Sequence, residues 1–308
     1  RPPRSTPKPS SAASDVYKRQ DKYIWTSSDG INWSSVGSQY DTDGSAQIVI
    51  SKQIALSGGA NAASLTVTGS HVFNVDDVGY ASAAAAGLTA GSITPTGASV
   101  GTKQGFSVIG YTGTGSNASI GHGLSNTPNF VIAKNRSSAG NNWIVWVTGF
   151  TGPQGLYLNS LTGQISDTGN FTAVPTSSVL NLGSGAQTNG SGNNMIAYCW
   201  HDVPGLQKFG KFIGNASADG NFIELGFRPA LVWIKPLYSY DGGTSIIAQT
   251  GWYVYDNKRG TFNPNGKVLA LNSNRAEEDN STDIDFLSNG FKLRNTRSIN
   301  TSSGAIYC

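Results

Sequence analysis

The chain has 308 residues, and its 21 basic and 18 acidic side chains give a formal net charge of +3. Residues 1–20 hold five of the bases and one of the acids, so the rest of the chain is nearly neutral and indicates no nucleic-acid partner. A charged fraction of 13% with 39 glycines excludes a disordered polyelectrolyte and a helical protein. No apolar run reaches the length of about 18 residues that crosses a membrane, and two cysteines are too few for a disulfide framework.

Residues 21–56 are predicted to be a β-hairpin region. The segment YIWTSSDGINWSSV begins at Tyr23, and its turn resembles a shortened Asp-box, in which Asp29 and Gly30 shape the turn and Trp33 packs beneath it. One copy cannot build a propeller, which needs repeated blades. Residues 57–102 are rich in Gly, Ala, Ser and Thr and poor in large apolar side chains, so we interpret them as a spacer.

Short β-branched and aromatic runs recur about every ten residues between clusters of Gly, Asn, Ser and Pro, a pattern typical of antiparallel β-sandwiches. The clearest runs are AQIVISKQIAL, NFVIAK, WIVWV, NMIAYCW, ALVWIK, WYVYD and KVLALN. Between DIDFLS and FKLR, the pair Asn289-Gly290 predicts a two-residue hairpin turn, because both residue types tolerate a positive φ. The sequence therefore predicts an all-β protein.

The chain repeats itself from about residue 103. The aligned pairs are Gly113 with Gly214, Pro128 with Pro229, and Pro153 with Pro264. The offset is 101 residues in the first two pairs and 111 in the third, so the second copy carries a longer central loop. We predict two tandem antiparallel β-sandwich units, β-repeat 1 over residues 103–203 and β-repeat 2 over residues 204–308. A single merged sandwich of about 200 residues is the alternative.

Several segments resemble a tandem β-domain of unknown function found in marine tailed-phage proteins. They are FGKFIGNASADGNFIELGFRPALVWIK, residues 256–259, IDFLSNGFKLR, IGHGLSNTPNFVIAKNRS, VPTSSVLNLG and NGSGNNMIAYCW. The resemblance covers about residues 103–308. It implies a virion structural or tail-associated role and brings no catalytic residues and no cofactor. The loop PLYSYDGGTS after Lys235 is longer and richer in Tyr than is usual in that family.

Residues 1–20 resemble something other than a protein segment. SSAASDVYKRQ is similar to the conceptual translation of a transposase sequencing adapter, and RPPRST fits the oligonucleotide that precedes such an adapter. We therefore exclude residues 1–20 from the fold as non-native. We expect the natural start and end of the protein, including the close of its last strand, to lie beyond this sequence.

Few side chains are arranged for catalysis. The histidines His71, His122 and His201 are far apart and lack the spacing of a zinc site. Asp283 and Asp285 would point to the same side of a strand about 7 Å apart, within the range of paired glycosidase carboxylates. Ile284 and Phe286 indicate that the other side is the buried one, so we expect both carboxylates on the solvent-exposed face. No catalytic residue, metal or cofactor is predicted.

The best binding candidate is the Tyr-rich loop, with Tyr238, Tyr240 and Asp241 as its contact residues. Tyr, Ser and Gly together offer amphipathic contact area and adaptable hydrogen bonding at low entropic cost. Most of the seven Trp residues lie within predicted strands, so we expect them in the core.

These observations predict a non-enzymatic structural component of a tailed-phage virion, in a tail, fibre or capsid-associated position. The expected partners are other virion proteins, further copies of the chain in an oligomer, and host surface polysaccharide held by the Tyr238 loop. The expected location is the virion, assembled in the host cytoplasm. The alternative is a tail-associated glycan depolymerase, which would need a convergent pair of carboxylates in a cleft.

Overall fold

The computed structural model describes residues 25–26, 34–35, 72–150, 153–166, 168–238 and 251–308. The chain divides into two compact units, residues 1–68 and residues 69–308. In the first unit, β1 (Trp25–Thr26) pairs antiparallel with β2 (Ser34–Ser35), which places the two strands of the predicted hairpin. The turn between them lies outside the described residues.

The second unit contains nineteen strands and two short helical turns among its described residues. The first group is β3 (Phe73–Val75), β4 (Val78–Tyr80), β5 (Gly97–Gly101), β6 (Phe106–Thr112), β7 (Ala118–Gly121), β8 (Phe130–Asn135), β9 (Ile144–Val147), β10 (Gln154–Tyr157), β11 (Ile165–Ser166), β12 (Val179–Leu182), α1 (Ala186–Asn189) and β13 (Asn194–Trp200). The second group is β14 (Gly210–Phe212), β15 (Phe222–Glu224), β16 (Leu231–Pro236), β17 (Tyr253–Asp256), β18 (Asn265–Ala270), β19 (Glu278–Leu287), β20 (Gly290–Leu293), a 3-10 turn (Ser298–Asn300) and β21 (Ala305–Tyr307). No helix among the described residues is long and apolar enough to cross a membrane.

These strands form three sheets. A nine-stranded sheet has the order β11-β10-β9-β8-β13-β6-β5-β3-β4, and β7 pairs with β12 in a small sheet. An eight-stranded sheet has the order β14-β21-β16-β17-β18-β19-β20-β15, and one of the sheets curves into a nearly closed barrel. Among the described strands, only β3 and β5 pair in parallel. The predicted all-β fold is confirmed.

Alternating side chains explain where the two cores lie. In β13 every second side chain from Met195 to Cys199 is fully buried, and the side chains between them are half-buried. The small sheet adds Ile120 and Leu180 to the same core. A second core, which includes Phe291, lies within the eight-stranded sheet.

Residues 72–102, the described part of the segment that we interpreted as a spacer, belong to the nine-stranded sheet instead. They form β3, β4 and β5, and β5 pairs with β6 over five residues. Composition was misleading here because a strand needs an apolar side chain only at every second position. In β5, Ala98 and Val100 are buried, and Leu88 and Ile93 join the same core.

The predicted hairpin exists, but its turn lies one residue earlier than expected. Leu287 pairs with Gly290, so the two turn residues are Ser288 and Asn289, and Gly290 is the first residue of β20. Gly290 does not have a positive φ. A Cβ atom at this position would lie 2.1 Å from the carbonyl oxygen of Ile223 in β15. Glycine is therefore required by the close approach of β15 and not by the turn.

One strand order occurs twice. In the first β-segment (residues 103–203), β8 lies between β13 and β9, with β6 beyond β13 and β10 beyond β9. In the second β-segment (residues 204–308), β16 lies between β21 and β17, with β14 beyond β21 and β18 beyond β17. The central strands β8 and β16 begin at Phe130 and Leu231, as the sequence predicts.

Candidate functional site

The structure describes one of the three predicted binding residues. Tyr238 is 55% exposed and directly follows Leu237, which is fully buried. The carbonyl oxygen of Leu237 accepts a hydrogen bond of 2.7 Å from the backbone N–H of Gln164, so the chain is held firmly just before Tyr238. Tyr240 and Asp241 lie outside the described residues.

The prediction that Asp283 and Asp285 face solvent is wrong. Asp283 has no exposed surface, and Asp285 is 5% exposed. The Asp283 carboxylate accepts hydrogen bonds from the Tyr255 hydroxyl at 3.2 Å, the Asn280 amide at 3.1 Å and the Asn295 amide at 2.9 Å. Burial raises the pKa of Asp283. Both faces of β19 are covered over residues 283–286, so the alternation of apolar residues did not mark one face as exposed.

Asp285 is also engaged within the fold. Its carboxylate forms an ion pair of 2.5 Å with the Arg294 guanidinium, which lies 3.4 Å from Asp219. Lys292 binds the same Asp219 carboxylate at 2.7 Å. These contacts hold β19, β20 and the turn before β15 together, so both candidate carboxylates have structural partners.

The histidines take structural positions as well. His122 is fully buried; its Nδ1 accepts the N–H of Leu124 at 3.1 Å, and its Nε2 lies 3.2 Å from the carbonyl oxygen of Thr176. Burial lowers the pKa of His122, which favours the neutral ring with its proton on Nε2. His201 places Nδ1 at 2.7 Å from the carbonyl oxygen of Asp202. His71 lies outside the described residues, and no group of three metal-binding side chains occurs among the residues described.

A cluster that the sequence analysis did not single out lies on the first β-segment. Lys134 of β8 places its Nζ 5.8 Å from the ring centroid of Trp143, close enough for a cation–π interaction. The Trp143 and Tyr198 rings stack with centroids 6.3 Å apart. We call Lys134, Arg136, Trp143, Ile196 and Tyr198 the first shelf.

Strand register assembles the first shelf. Ile196 and Tyr198 are two residues apart in β13, so they share a face, and Ile196 lies directly opposite Lys134. The backbone N–H of Trp143 donates to Asn159 Oδ1 at 3.0 Å, and the N–H of Leu158 donates to the Trp143 carbonyl oxygen at 3.0 Å. These two bonds fix the backbone of Trp143 just before β9.

The first shelf lies at a cavity of about 570 Å³ that is open to solvent. Arg136 is exposed, and the other four side chains of the first shelf are half-buried. The Lys134 ammonium donates one hydrogen bond to the carbonyl oxygen of Asn141, and no ion pair among the described residues involves Lys134 or Arg136. The first shelf therefore combines apolar ring surface with two cations, which suits carbonyl or carboxylate acceptors.

The second β-segment contains the same arrangement. Lys235 of β16 places its Nζ 5.8 Å from the ring centroid of Trp252. The N–H of Trp252 donates to Asn272 Oδ1 at 2.9 Å, and the N–H of Leu271 donates to the Trp252 carbonyl oxygen at 2.9 Å. We call Lys235, Leu237, Trp252 and Ile306 the second shelf; all four are fully buried.

A segment of the first β-segment covers the second shelf. The carbonyl oxygen of Ser160 accepts a hydrogen bond from Lys235 Nζ at 3.1 Å, and that of Tyr157 accepts one from Trp252 Nε1 at 2.8 Å. The ring of Phe130 adds an edge contact with Trp252, with centroids 6.2 Å apart. Burial lowers the pKa of Lys235 to about 7. A Lys–Trp shelf of this kind can thus hold an extended stretch of backbone by its carbonyl oxygens.

The Trp residues divide between core and surface. Trp146 and Trp252 are buried, as expected, whereas Trp143, Trp200 and Trp233 are half-buried. Trp200 and Trp233 line a mostly apolar cavity of about 320 Å³.

A short sequence signal could have identified the shelves. The triplet Leu-Asn-Ser occurs at 158–160 and again at 271–273, and its Asn caps the Trp of each shelf. The sequence alignment already paired Lys134 with Lys235, the lysines of the two shelves. Because the Trp residues lie at an offset of 109, between the two offsets that we used, the alignment did not pair them.

Comparisons with known proteins place the chain in a family. The family model described as Domain of unknown function (DUF7483) matches residues 75–308, which include both shelves and β4 to β21. No curated protein and no solved structure matches the chain significantly. The matched residues make up most of the chain, and the protein therefore belongs to the DUF7483 family of domains of unknown function.

Proposed function

We propose that this chain is a non-enzymatic structural component of a tailed-phage virion, built from two copies of one β-module. The observation that carries the proposal is the pairwise match of the two β-segments in strand order and in their Lys–Trp shelves. Duplicated, hydrogen-bonded β-modules suit a protein whose task is to give rigid, repeated surface.

Buried asparagines support the duplication independently. Asn189 accepts the N–H of Thr114 at 2.7 Å and donates to the carbonyl oxygen of Ser116 at 2.6 Å. Asn300 accepts the N–H of Asn215 at 3.2 Å and donates to the carbonyl oxygen of Ser217 at 2.8 Å. The loop positions differ by 101 residues in each pair of bonds, which is the offset found in the sequence.

The assignment to a virion rests on the sequence resemblance to marine tailed-phage proteins. Its test is mass spectrometry of gradient-purified, nuclease-treated particles of the phage that carries the gene, with immunogold labelling to locate the chain. Peptides from residues 103–308 should co-purify with the particles in a fixed ratio to known virion proteins. Their presence only in the soluble lysate would contradict the proposal.

We propose in addition that the loop beginning at Tyr238, a residue that is 55% exposed, contacts host surface polysaccharide without cleaving it. The contacts made by Asp283 and Asp285 support a binding role over the depolymerase alternative, because hydrogen bonds and an ion pair already hold both carboxylates. The double variant Tyr238→Ala with Tyr240→Ala should lose binding on a glycan array, while wild type binds. Release of reducing ends from the polysaccharide by the wild-type chain would instead support the depolymerase.

A further inference from the structure

The two shelves differ in what lies over them. The second shelf is fully buried beneath residues 157–164 of the same chain, whereas the first shelf is open to solvent. The segment that covers the second shelf has a counterpart at residues 270–277, which contains the second Leu-Asn-Ser triplet. In that counterpart, Leu271 is 47% exposed. The chain therefore has one open shelf and one exposed covering segment.

The residues at the edge of the contact between the second shelf and its covering segment show the same difference in exposure. Phe130, which touches Trp252 of the second shelf, is 2% exposed. Its counterpart at the offset of 101 is Leu231, which is 50% exposed. The buried Phe130 of the first β-segment thus has an exposed apolar counterpart, Leu231, on the second β-segment.

We propose that copies of this chain associate head to tail, with residues 270–277 of one copy covering the first shelf of the next. The inference rests on the equivalence of the two β-segments proposed above. It commits to a second copy as the occupant because the contact to be formed continues one that the chain already makes internally.

The internal contact specifies the bonds of the new one. Lys134 Nζ takes the role of Lys235 Nζ and donates to the carbonyl oxygen of Ser273. Trp143 Nε1 takes the role of Trp252 Nε1 and donates to the carbonyl oxygen of Ala270; among the described residues the Trp143 indole N–H has no hydrogen-bond acceptor. Leu231 takes the place of Phe130 beside Trp143.

The charged residues of the covering segment already have partners within the chain. Glu277 pairs with Arg259 at 2.9 Å, and Glu278 pairs with Arg275 at 3.6 Å. The contact to be formed is therefore specified by its carbonyl acceptors and apolar side chains, and not by opposite charges.

The contact is heterologous, because the surface used on one copy differs from the surface used on the next. Every added copy still presents an open first shelf at one end and an exposed covering segment at the other. Such contacts produce a closed ring of two or more copies if the rotation closes, and an open filament if it does not.

The test measures the mass of the full-length chain by sedimentation velocity from about 1 to 300 µM, a range over which a weak contact becomes populated. The wild-type mass should rise with concentration above that of one chain. Ile196→Glu on the first shelf and Leu271→Glu on the covering segment should each remain at the mass of one chain. Val174→Glu, at a residue that is 43% exposed elsewhere, is the matched control and should assemble like wild type.

Mixing the two blocked variants gives the decisive measurement. Leu271→Glu retains an intact first shelf and Ile196→Glu retains an intact covering segment, so a mixture should form a one-to-one dimer and nothing larger. Circular dichroism of each variant checks that its fold is intact. A wild-type chain that stays monomeric, blocked variants that still assemble, or a mixture of folded variants that forms no dimer would each overturn the proposal.

This test is separate from the test of the proposed function. A chain that is monomeric at every concentration but present in purified particles would overturn head-to-tail association alone. A chain that assembles as described but is absent from particles would overturn the virion assignment alone.

Discussion

Lys235 is a charged side chain placed where water does not reach it. It is fully buried, and its ammonium lies between the ring of Trp252 and the carbonyl oxygen of Ser160. Burial penalises the charged form, which lowers the pKa of Lys235 to about 7, compared with about 10.5 for an exposed lysine. The same amine that links the two β-segments is thus partly neutral near physiological pH.

This pKa predicts how stability depends on pH. Between about pH 7 and 10.5 the unfolded chain holds the Lys235 proton more tightly than the folded chain, so unfolding takes up a proton. The free energy of unfolding contributed by Lys235 should therefore rise with pH above 7, by about 1.4 kcal/mol per unit at most, and be constant well below 7. Urea unfolding of wild type and Lys235→Met from pH 6 to about 9 measures the difference, in which other titrating groups cancel.

The control for this experiment is Lys134→Met, which removes the equivalent but half-buried lysine of the first shelf. The difference from wild type should change more with pH for Lys235→Met than for Lys134→Met. If the difference for Lys235→Met is constant with pH, Lys235 titrates at the same pH in the folded and unfolded chain, and its burial has no electrostatic consequence.

At the scale of the element, each β-segment closes one loop on a single buried asparagine. Asn189 binds the loop after β6, and Asn300 binds the loop after β14. Neighbouring glycines make this possible: a Cβ atom on Gly113 would lie 2.2 Å from the carbonyl oxygen of Gly190, and one on Gly214 would lie 2.1 Å from the carbonyl carbon of Asn300. The two loops therefore depend on the same pairing of a small residue with a buried amide.

Asn189→Ala and Asn300→Ala should destabilise the protein by similar amounts, about 2 to 4 kcal/mol each. Each removes the bonds to one loop and leaves one buried carbonyl oxygen, that of Gly183 or Asn295, without its donor. Asn181→Ala is the control, since its half-buried side chain makes one hydrogen bond, to Val174, and should cost less than about 1 kcal/mol. Chemical denaturation measures all three. A large cost for one of the buried asparagines and a negligible cost for the other would contradict the proposed equivalence of the loops.

The elements also show what the sequence could reveal. Strands such as β8, β13 and β16 were predictable because short runs of β-branched and aromatic residues lie between clear turn residues. The burial of Asp283 was not, because two of its partners, Tyr255 and Asn295, lie outside β19 and are brought to it only by the fold. A local sequence pattern indicates where a strand lies and which side chains share a face. Tertiary packing determines which of the two faces is covered.

The candidate site was likewise predictable only where local sequence decides the outcome. The exposure of Tyr238 was predictable from loop composition, and the structure agrees for that residue. The first shelf was not predicted, because its members come from β8, β13 and the turn before β9, which are brought together only by strand pairing. The sequence feature that marks both shelves is the repeated Leu-Asn-Ser triplet. Its role is evident only from the structure, in which the Asn of each triplet accepts a hydrogen bond from the backbone N–H of the shelf Trp.

At the scale of residues 69–308, the second shelf is a buried part of the interface between the two β-segments and should help to determine whether they unfold together. The larger core contains residues of both, including Phe130 and Trp252, and the Trp252 indole donates to the carbonyl oxygen of Tyr157. Cooperative unfolding of two modules requires that their interface be as well packed as their interiors. The second shelf meets that condition, since its four side chains are fully buried.

Trp252→Phe should therefore cost about 2 to 4 kcal/mol, because it leaves a void and removes the only donor shown for the Tyr157 carbonyl oxygen among the described residues. Trp143→Phe makes the same chemical change on the open first shelf and should cost less than about 1 kcal/mol in dilute solution, where no second copy covers it. Calorimetry should show one transition for wild type and for Trp143→Phe, and a broadened or divided transition for Trp252→Phe. Equal costs for the two variants would mean that the cover over the second shelf adds nothing to stability, and that the contact between the β-segments is not what couples them.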